Sequence, residues 1–322
     1  MPILPLMIGM AGGLASAVLF YSAVRGSVGL SILLFLLTPL PSLITGLGWG
    51  VTAAAAGAMA GALVMAATVG TSFGIGYFLA LGVPILVVSH LATLVKYGNE
   101  GAVTTWYPPG QILGAIAVYG GLLPVIVTPL FGGTYQVLEA DILRYLQRLA
   151  QQAPPDSSWR MAPEQMSRIA GMWIDVMPGA LAAYWTFFFS LNVYIASRVT
   201  QASGLLPRPA FKVSRIVLPS VLVIGFAAAF FAISFPGELR IIGASFVGSL
   251  FVAFLIMGFT VAHAYGQTRS GWVVPAAYAT AIFANGIALP LIAGLGLGET
   301  AFRFRDRYLP AGPTSDGAGR DS

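Results

Sequence analysis

The chain has 322 residues, 57% of them hydrophobic and only 8% charged, whereas soluble domains carry about 25% charged residues. So few charges cannot coat a water-facing surface, which excludes an ordinary soluble domain and makes lipid the main solvent. The net charge of +5, from 16 basic and 11 acidic residues, is spread between apolar runs, where membrane topology and anionic headgroups account for it and nucleic acid does not.

A span needs roughly 20 mostly apolar residues to cross about 30 Å of hydrocarbon. In chain order the candidates are 3–22, 28–48, 50–69, 72–94, 109–131, 172–197, 213–235, 239–264 and 271–297. The expected fold class is all-α: a polytopic transmembrane helix bundle with eight or nine spans and one amphipathic insert.

In the first span Ala15-Ser16-Ala17 has the small-residue form of a cleavage site, but no basic residue precedes the apolar run. The run also continues through Phe20 and Tyr21, so it is read as a retained span. Gly9 and Gly13 fall four apart, as do Gly57 and Gly61 in the third span. Small residues at that spacing let helix backbones approach, within the chain or against a partner subunit. Pro39 and Pro41 interrupt the second candidate, which is expected to be a broken helix if it spans at all.

Residues 132–170 are the long polar insert. In "YQVLEADILRYLQRLAQQ" the apolar residues have the spacing of an amphipathic helix, expected to lie flat at the membrane surface or to cover one end of the bundle. The insert separates N-terminal spans (1–131) from a C-terminal group of four (171–307), and 308–322 have the composition of a disordered tail.

The stretch 173–199, "WIDVMPGALAAYWTFFFSLNVYIASRV", is apolar except for a few positions. Asp175 precedes Pro178 by three residues, at the expected membrane interface. There its carboxylate either caps the first helical turn or faces a polar cavity. Asn192 follows about 25 Å further along a straight helix, so the two cannot share one site. Its amide requires another helix, the backbone or a ligand. Tyr184 and Trp185 belong to an aromatic block that is either lipid-facing bulk or a pocket wall. Asn285 lies in "AIFANGIALPLIAG", where Pro290 leaves the Gly286 carbonyl without its helical donor. That marks a locally irregular helix, used for packing or to line a cavity. Asn192, Asn285, Tyr184 and Trp185 are therefore the candidate ligand-binding residues.

Catalytic templates fail. The chain has no GxxxxGK[ST], no GxSxG and no pair of acids within one span, and His90 and His263 lie far apart outside any HExxH pattern. The absence of cysteine excludes thiolate metal sites and disulfides. No catalytic residue, metal site or cofactor is assigned.

Arg198, Arg208, Lys212 and Arg215 argue for a cytoplasmic loop, and Arg303, Arg305 and Arg307 for a cytoplasmic C-terminus. With three spans counted between them the two clusters cannot share a face, and the tighter C-terminal cluster is taken as cytoplasmic.

Four stretches of the C-terminal half, "MPGALAAYWTFFFSLNVYIASRV", "LLPRPAFKVSRIVLPSVLV", "FLIMGFTVAHAYGQ" and "LIAGLGLGETAFRFRDR", occur in one order. Together they resemble the YybS-like predicted bacterial membrane proteins. The match covers much of 172–307, and the N-terminal spans agree mainly in hydropathy. Pro178, Asn192, Arg215 and Pro219 match recurrent positions of that family. Its closing motif usually carries an aspartate where Glu299 stands here, before Phe302, Phe304 and Arg305. Asp175, Pro178, Arg215, Pro219, Glu299 and Arg305 are read as structural or interface residues. The family is distantly similar to substrate-binding subunits of energy-coupling-factor vitamin transporters and to MreD-type cell-shape proteins. The first similarity implies a multi-pass protein of a bacterial inner membrane that binds a small molecule for transport and borrows its ATPase from a partner subunit. The alternative is a non-transporting scaffold in envelope assembly.

Overall fold

A computed structural model describes residues 3–97, 103–152, 162–209, 213, 216–268 and 270–308. Lipid offers a backbone no hydrogen-bond partners, so each span must satisfy its own N–H and C=O groups as a helix. The helices are α1 (Ile3–Arg25), α2 (Val28–Leu37), α3 (Leu40–Trp49), α4 (Val51–Thr68), α5 (Thr71–Tyr77), α6 (Val83–Thr93), α7 (Pro109–Val127), α8 (Tyr135–Gln152), α9 (Pro163–Ala202), α10 (Val221–Ala232), α11 (Glu238–Thr268), α12 (Val273–Phe283), α13 (Asn285–Phe302) and α14 (Arg305–Tyr308). A small antiparallel pair, β1 (Val95–Tyr97) and β2 (Val103–Trp106), joins α6 to α7. Among the described residues, seven stretches are long and apolar enough to cross a membrane, and they fall on the predicted spans beginning at 3, 28, 50, 72, 109, 172 and 239. The protein is an all-α, multi-pass integral membrane protein.

Contacts between helices set their directions. Gly9 lies against the Ala53 backbone and Gly13 against that of Gly57, so α1 and α4 run parallel, and a side chain at either glycine of α1 would collide with α4. Gly61 has a different neighbour, the Tyr77 ring. The Ser16 and Ser42 hydroxyls meet at 2.9 Å, and Gly12 faces Thr45, so α1 and α3 are antiparallel. At the centre, Ser249 of α11 donates to the Ala117 carbonyl of α7 and lies 2.7 Å from the Thr186 hydroxyl of α9, with Gly120 leaving the room. Arg240 pairs with Asp175 at 2.9 Å, which aligns α9 with α11. Gly48 packs near Thr200 and Leu205, so α3 and α9 finish at the same end.

The N-terminal and C-terminal groups expected from the insert are one interlocked bundle. Ile112 and Ile116 of α7 join the core built on α1, α3, α4 and α6, whereas Leu113 and Ala117 on its neighbouring face join the core built on α11 and α13. Phe189 and Ala196 carry α9 into the first of these.

Three expectations are corrected. First, the boundary at 170 falls inside α9, an uninterrupted helix of 40 residues. At about 1.5 Å per residue it is roughly 60 Å long, twice the hydrocarbon thickness. Asp175 is therefore not in a first turn and caps nothing; it takes Arg240 instead. Second, α8 packs Leu146 against Met166 and Ala170 on the polar extension of α9, not across the end of the bundle, while Val137 and Tyr145 stay exposed.

Third, 271–297 is not one crossing span. A straight helix would separate Val273 from Phe302 by about 43 Å. Yet Val273, Phe304 and Arg305 line a single cavity of about 700 Å³. The chain doubles back at Ala284 (φ −123°, ψ 38°), where α12 stops and α13 starts. Arg305 then donates to the Ile216 carbonyl at 2.7 Å, so the C-terminus returns beside the segment that follows α9. Both basic clusters can thus share one face. Among the described residues this basic end carries Lys96, Arg198, Arg208, Arg303, Arg305 and Arg307 against Glu299 and Asp306. The opposite, balanced end carries Arg25, Arg144, Arg148, Arg168 and Arg240 against Glu139, Asp141, Glu164, Asp175 and Glu238.

Candidate functional site

Residues at i, i+3, i+4 and i+7 share a helix face, and on α9 these are Phe187, Ser190, Leu191 and Tyr194. They form one wall of a crevice of about 380 Å³, a volume within the range of small-molecule sites. Ile112 and Ile116 of α7 form the second wall, Ile256, Phe259 and His263 of α11 the third, and Tyr278 of α12 closes it. Val213 and Ile216 border it from the segment between α9 and α10.

Its polar groups are few and distinct. The buried Ser190 hydroxyl has no hydrogen-bond partner among the described residues. His263 Nδ1 lies 2.8 Å from the Phe259 carbonyl. A carbonyl only accepts, so the Nδ1–H donates to it and Nε2 is the ring nitrogen left for another partner. The Tyr278 ring stacks on Phe259 (4.6 Å between centroids, 17°) and meets His263 edge-on at 5.8 Å. Tyr194 supplies a second phenol. No Asp, Glu, Lys or Arg is among the described residues that line the crevice. Among these residues a formal ion would lose its hydration without gaining a counter-charge, whereas a neutral ring with a donor and an acceptor finds stacking partners and hydrogen bonds. Among the described residues no three of His, Asp and Glu gather to hold a metal ion.

The residues singled out in the sequence occupy other places. Asn192 is buried on a different face of α9 and donates to the carbonyls of Leu36 and Phe188, both at 2.8 Å. Trp185 donates from Nε1 to the Ala80 carbonyl at 3.1 Å and stacks on Phe189 at 4.7 Å. Tyr184 packs on Phe188 at the bundle surface. Asn285 begins α13, at the reversal of the chain, and its side chain lies outside the described part. Arg215 lies outside the described residues. Pro178 sits within α9, beside the close contact of Gly179 with Ala244. Pro219 packs near Gly114 and borders a shallow groove with Gln111 and Tyr119. Glu299 and Arg305 form an ion pair at 2.9 Å that is almost wholly buried.

Ser190, Tyr194, His263 and Tyr278 were not among the sequence candidates. The signal available was the i, i+4 pair Ser190 and Tyr194, on a face that does not carry Asn192. At the basic end, Arg208 donates to the Tyr107 carbonyl at 3.0 Å and lies over the Trp106 ring. Burial pushes its guanidinium down to about 10, so it stays cationic at neutral pH and fastens the loop after α9 to β2.

No family model matches the chain, and neither a curated protein nor a solved structure matches it.

Proposed function

We propose that the protein is a membrane-embedded binder of a small, neutral, ring-bearing molecule, and that it serves transport without an ATPase of its own. The observation that carries this reading is the aromatic-lined crevice between α7, α9, α11 and α12, whose described lining holds no Asp, Glu, Lys or Arg and includes Ser190, a residue with an unpartnered buried hydroxyl. The chain has no P-loop with which to drive transport by its own ATP hydrolysis, and a separate ATPase subunit is what the resemblance of 172–307 to the YybS-like proteins implies.

The test is thermal unfolding of the purified protein in detergent with a panel of neutral heteroaromatic metabolites. A ligand at a hundred times its Kd adds about 2.7 kcal/mol, enough to raise the melting temperature visibly. The shift should vanish in Ser190→Leu, which fills the crevice, and weaken in Tyr278→Ala, which removes the stacking surface. A panel without a hit, or a shift indifferent to both variants, overturns the reading.

One observation favours a scaffold in envelope assembly instead: α8 and the start of α9 project as a helical pair beyond the length a membrane needs. Under that reading, replacing α8 by a flexible linker abolishes partner capture and leaves membrane insertion intact.

A further inference from the structure

The re-entrant pair α12 and α13 encloses, with α11, the separate cavity of about 700 Å³. Its walls are apolar, from Val261, Ala277, Ile292 and Leu295, and among the described residues its polar side chains are those of Tyr265 and Arg305. Such a half-open apolar space favours an apolar occupant over water. Protein interiors are packed to crystal density, and water needs two to four polar partners that these walls do not offer. In a bilayer the available filler is an acyl chain.

The charge around it specifies the other end of that molecule. Tyr265 lies in the last turn of α11, and Arg305 just past the end of α13, so the polar side chains stand at the basic end. Glu299 balances Arg305, which leaves the exposed Arg303 and the surplus of basic residues there to attract an anion at headgroup depth. Basic pockets between transmembrane helices are sites of this kind. We propose that the cavity holds one acyl chain of an anionic phospholipid, with its phosphate beside Arg303.

The test uses the full chain, delipidated in mild detergent, and reads thermal unfolding with added phosphatidylglycerol, phosphatidylcholine or soluble glycerol phosphate. Phosphatidylglycerol should raise the melting temperature by several degrees, phosphatidylcholine by less, and glycerol phosphate not at all. Ala277→Phe narrows the slot and should remove both lipid shifts, and Arg303→Gln should reduce the phosphatidylglycerol shift to that of phosphatidylcholine. Native mass spectrometry should retain one phosphatidylglycerol fewer on Ala277→Phe than on the unaltered chain. An effect of glycerol phosphate equal to that of the lipid would mean a free-anion site and overturn the proposal. So would equal shifts by the two lipids, or a phosphatidylglycerol shift that survives both variants.

Discussion

The Asn192 side-chain nitrogen reaches across the bundle to the Leu36 carbonyl at 2.8 Å, while also donating to Phe188 one turn back in its own helix. Leu36 lies in the last turn of α2, which stops at Thr38-Pro39. The final carbonyls of a helix have no partner inside it, and lipid supplies none. The amide satisfies a carbonyl left open where α2 ends.

Replacing Asn192 by Leu should therefore cost about 1 kcal/mol, since interhelical hydrogen bonds in membranes average about 0.6 and reach about 1.7 kcal/mol. Thermal unfolding in detergent should show a lower midpoint, while a ligand of the crevice should still stabilise the variant, because the crevice is built from other α9 residues. Normal unfolding with lost ligand response would return Asn192 to the binding residues.

Trp185 and Tyr119 satisfy carbonyls in a similar way. Between α5 and α6 the chain forms a π turn, Phe78–Gly82, in which Val83 donates to Phe78. Pro84 has no N–H, so the Ala80 carbonyl loses its ordinary helical donor. Trp185 Nε1 takes the Ala80 carbonyl at 3.1 Å and the Tyr119 hydroxyl takes that of Leu79 at 2.6 Å. Trp185→Phe should destabilise by about 1 kcal/mol. In a Pro84→Ala background, where the position regains a donor, the same change should cost less, with a coupling of at least about 0.5 kcal/mol in a double-mutant cycle of unfolding midpoints. Strict additivity would mean that the indole is held by stacking alone.

How much of this was legible follows from what hydropathy measures. Apolar length located seven of the nine candidate spans, while 213–235 holds only the 12-residue α10, and Pro39 marked the break between α2 and α3 because a missing N–H is a local fact. Hydropathy stopped at 172, since Glu164, Gln165 and Arg168 are polar, although the helix already starts at Pro163 and carries α8 against its first turns. Asn285, Gly286 and Pro290 announced an irregular helix, but the direction taken after Ala284 depends on Arg305 reaching Ile216, a contact 89 positions apart. In the candidate site the emphasis fell on costly residue types. Those are the groups the fold uses to satisfy its own backbone, and the crevice is lined by commoner ones such as Ser190 and Tyr194.

The Glu299–Arg305 pair holds the returning chain. Glu299 accepts from the Arg305 backbone N–H at 3.0 Å and from Nε at 2.9 Å, while the guanidinium also reaches Ile216. Removing one partner of a buried pair leaves an uncompensated charge and typically costs about 3–5 kcal/mol. Glu299→Ala should lower the melting point strongly and speed tryptic cleavage near Arg303 and Arg307. Glu299→Leu combined with Arg305→Met should recover much of the loss, because both charges are gone. A double variant no better than Glu299→Ala would assign the effect to the backbone contacts alone.

The doubling back at Ala284 has consequences for sidedness. A chain without cysteine accepts single reporters cleanly, so Gly271→Cys and Asp306→Cys can mark the two ends of the α12–α13 pair, and Ser72→Cys and Ser234→Cys the balanced end. The basic end, with six basic residues against two acids among the described residues, is expected on the cytoplasmic side by the positive-inside rule. In intact cells a membrane-impermeant maleimide should reach positions 72 and 234, and label 271 and 306 only after permeabilisation. Opposite labelling of 271 and 306 would mean that the pair crosses the membrane and the reversal is wrong. Inversion of all four would leave the reversal standing and refute only the orientation, so the two claims fail separately.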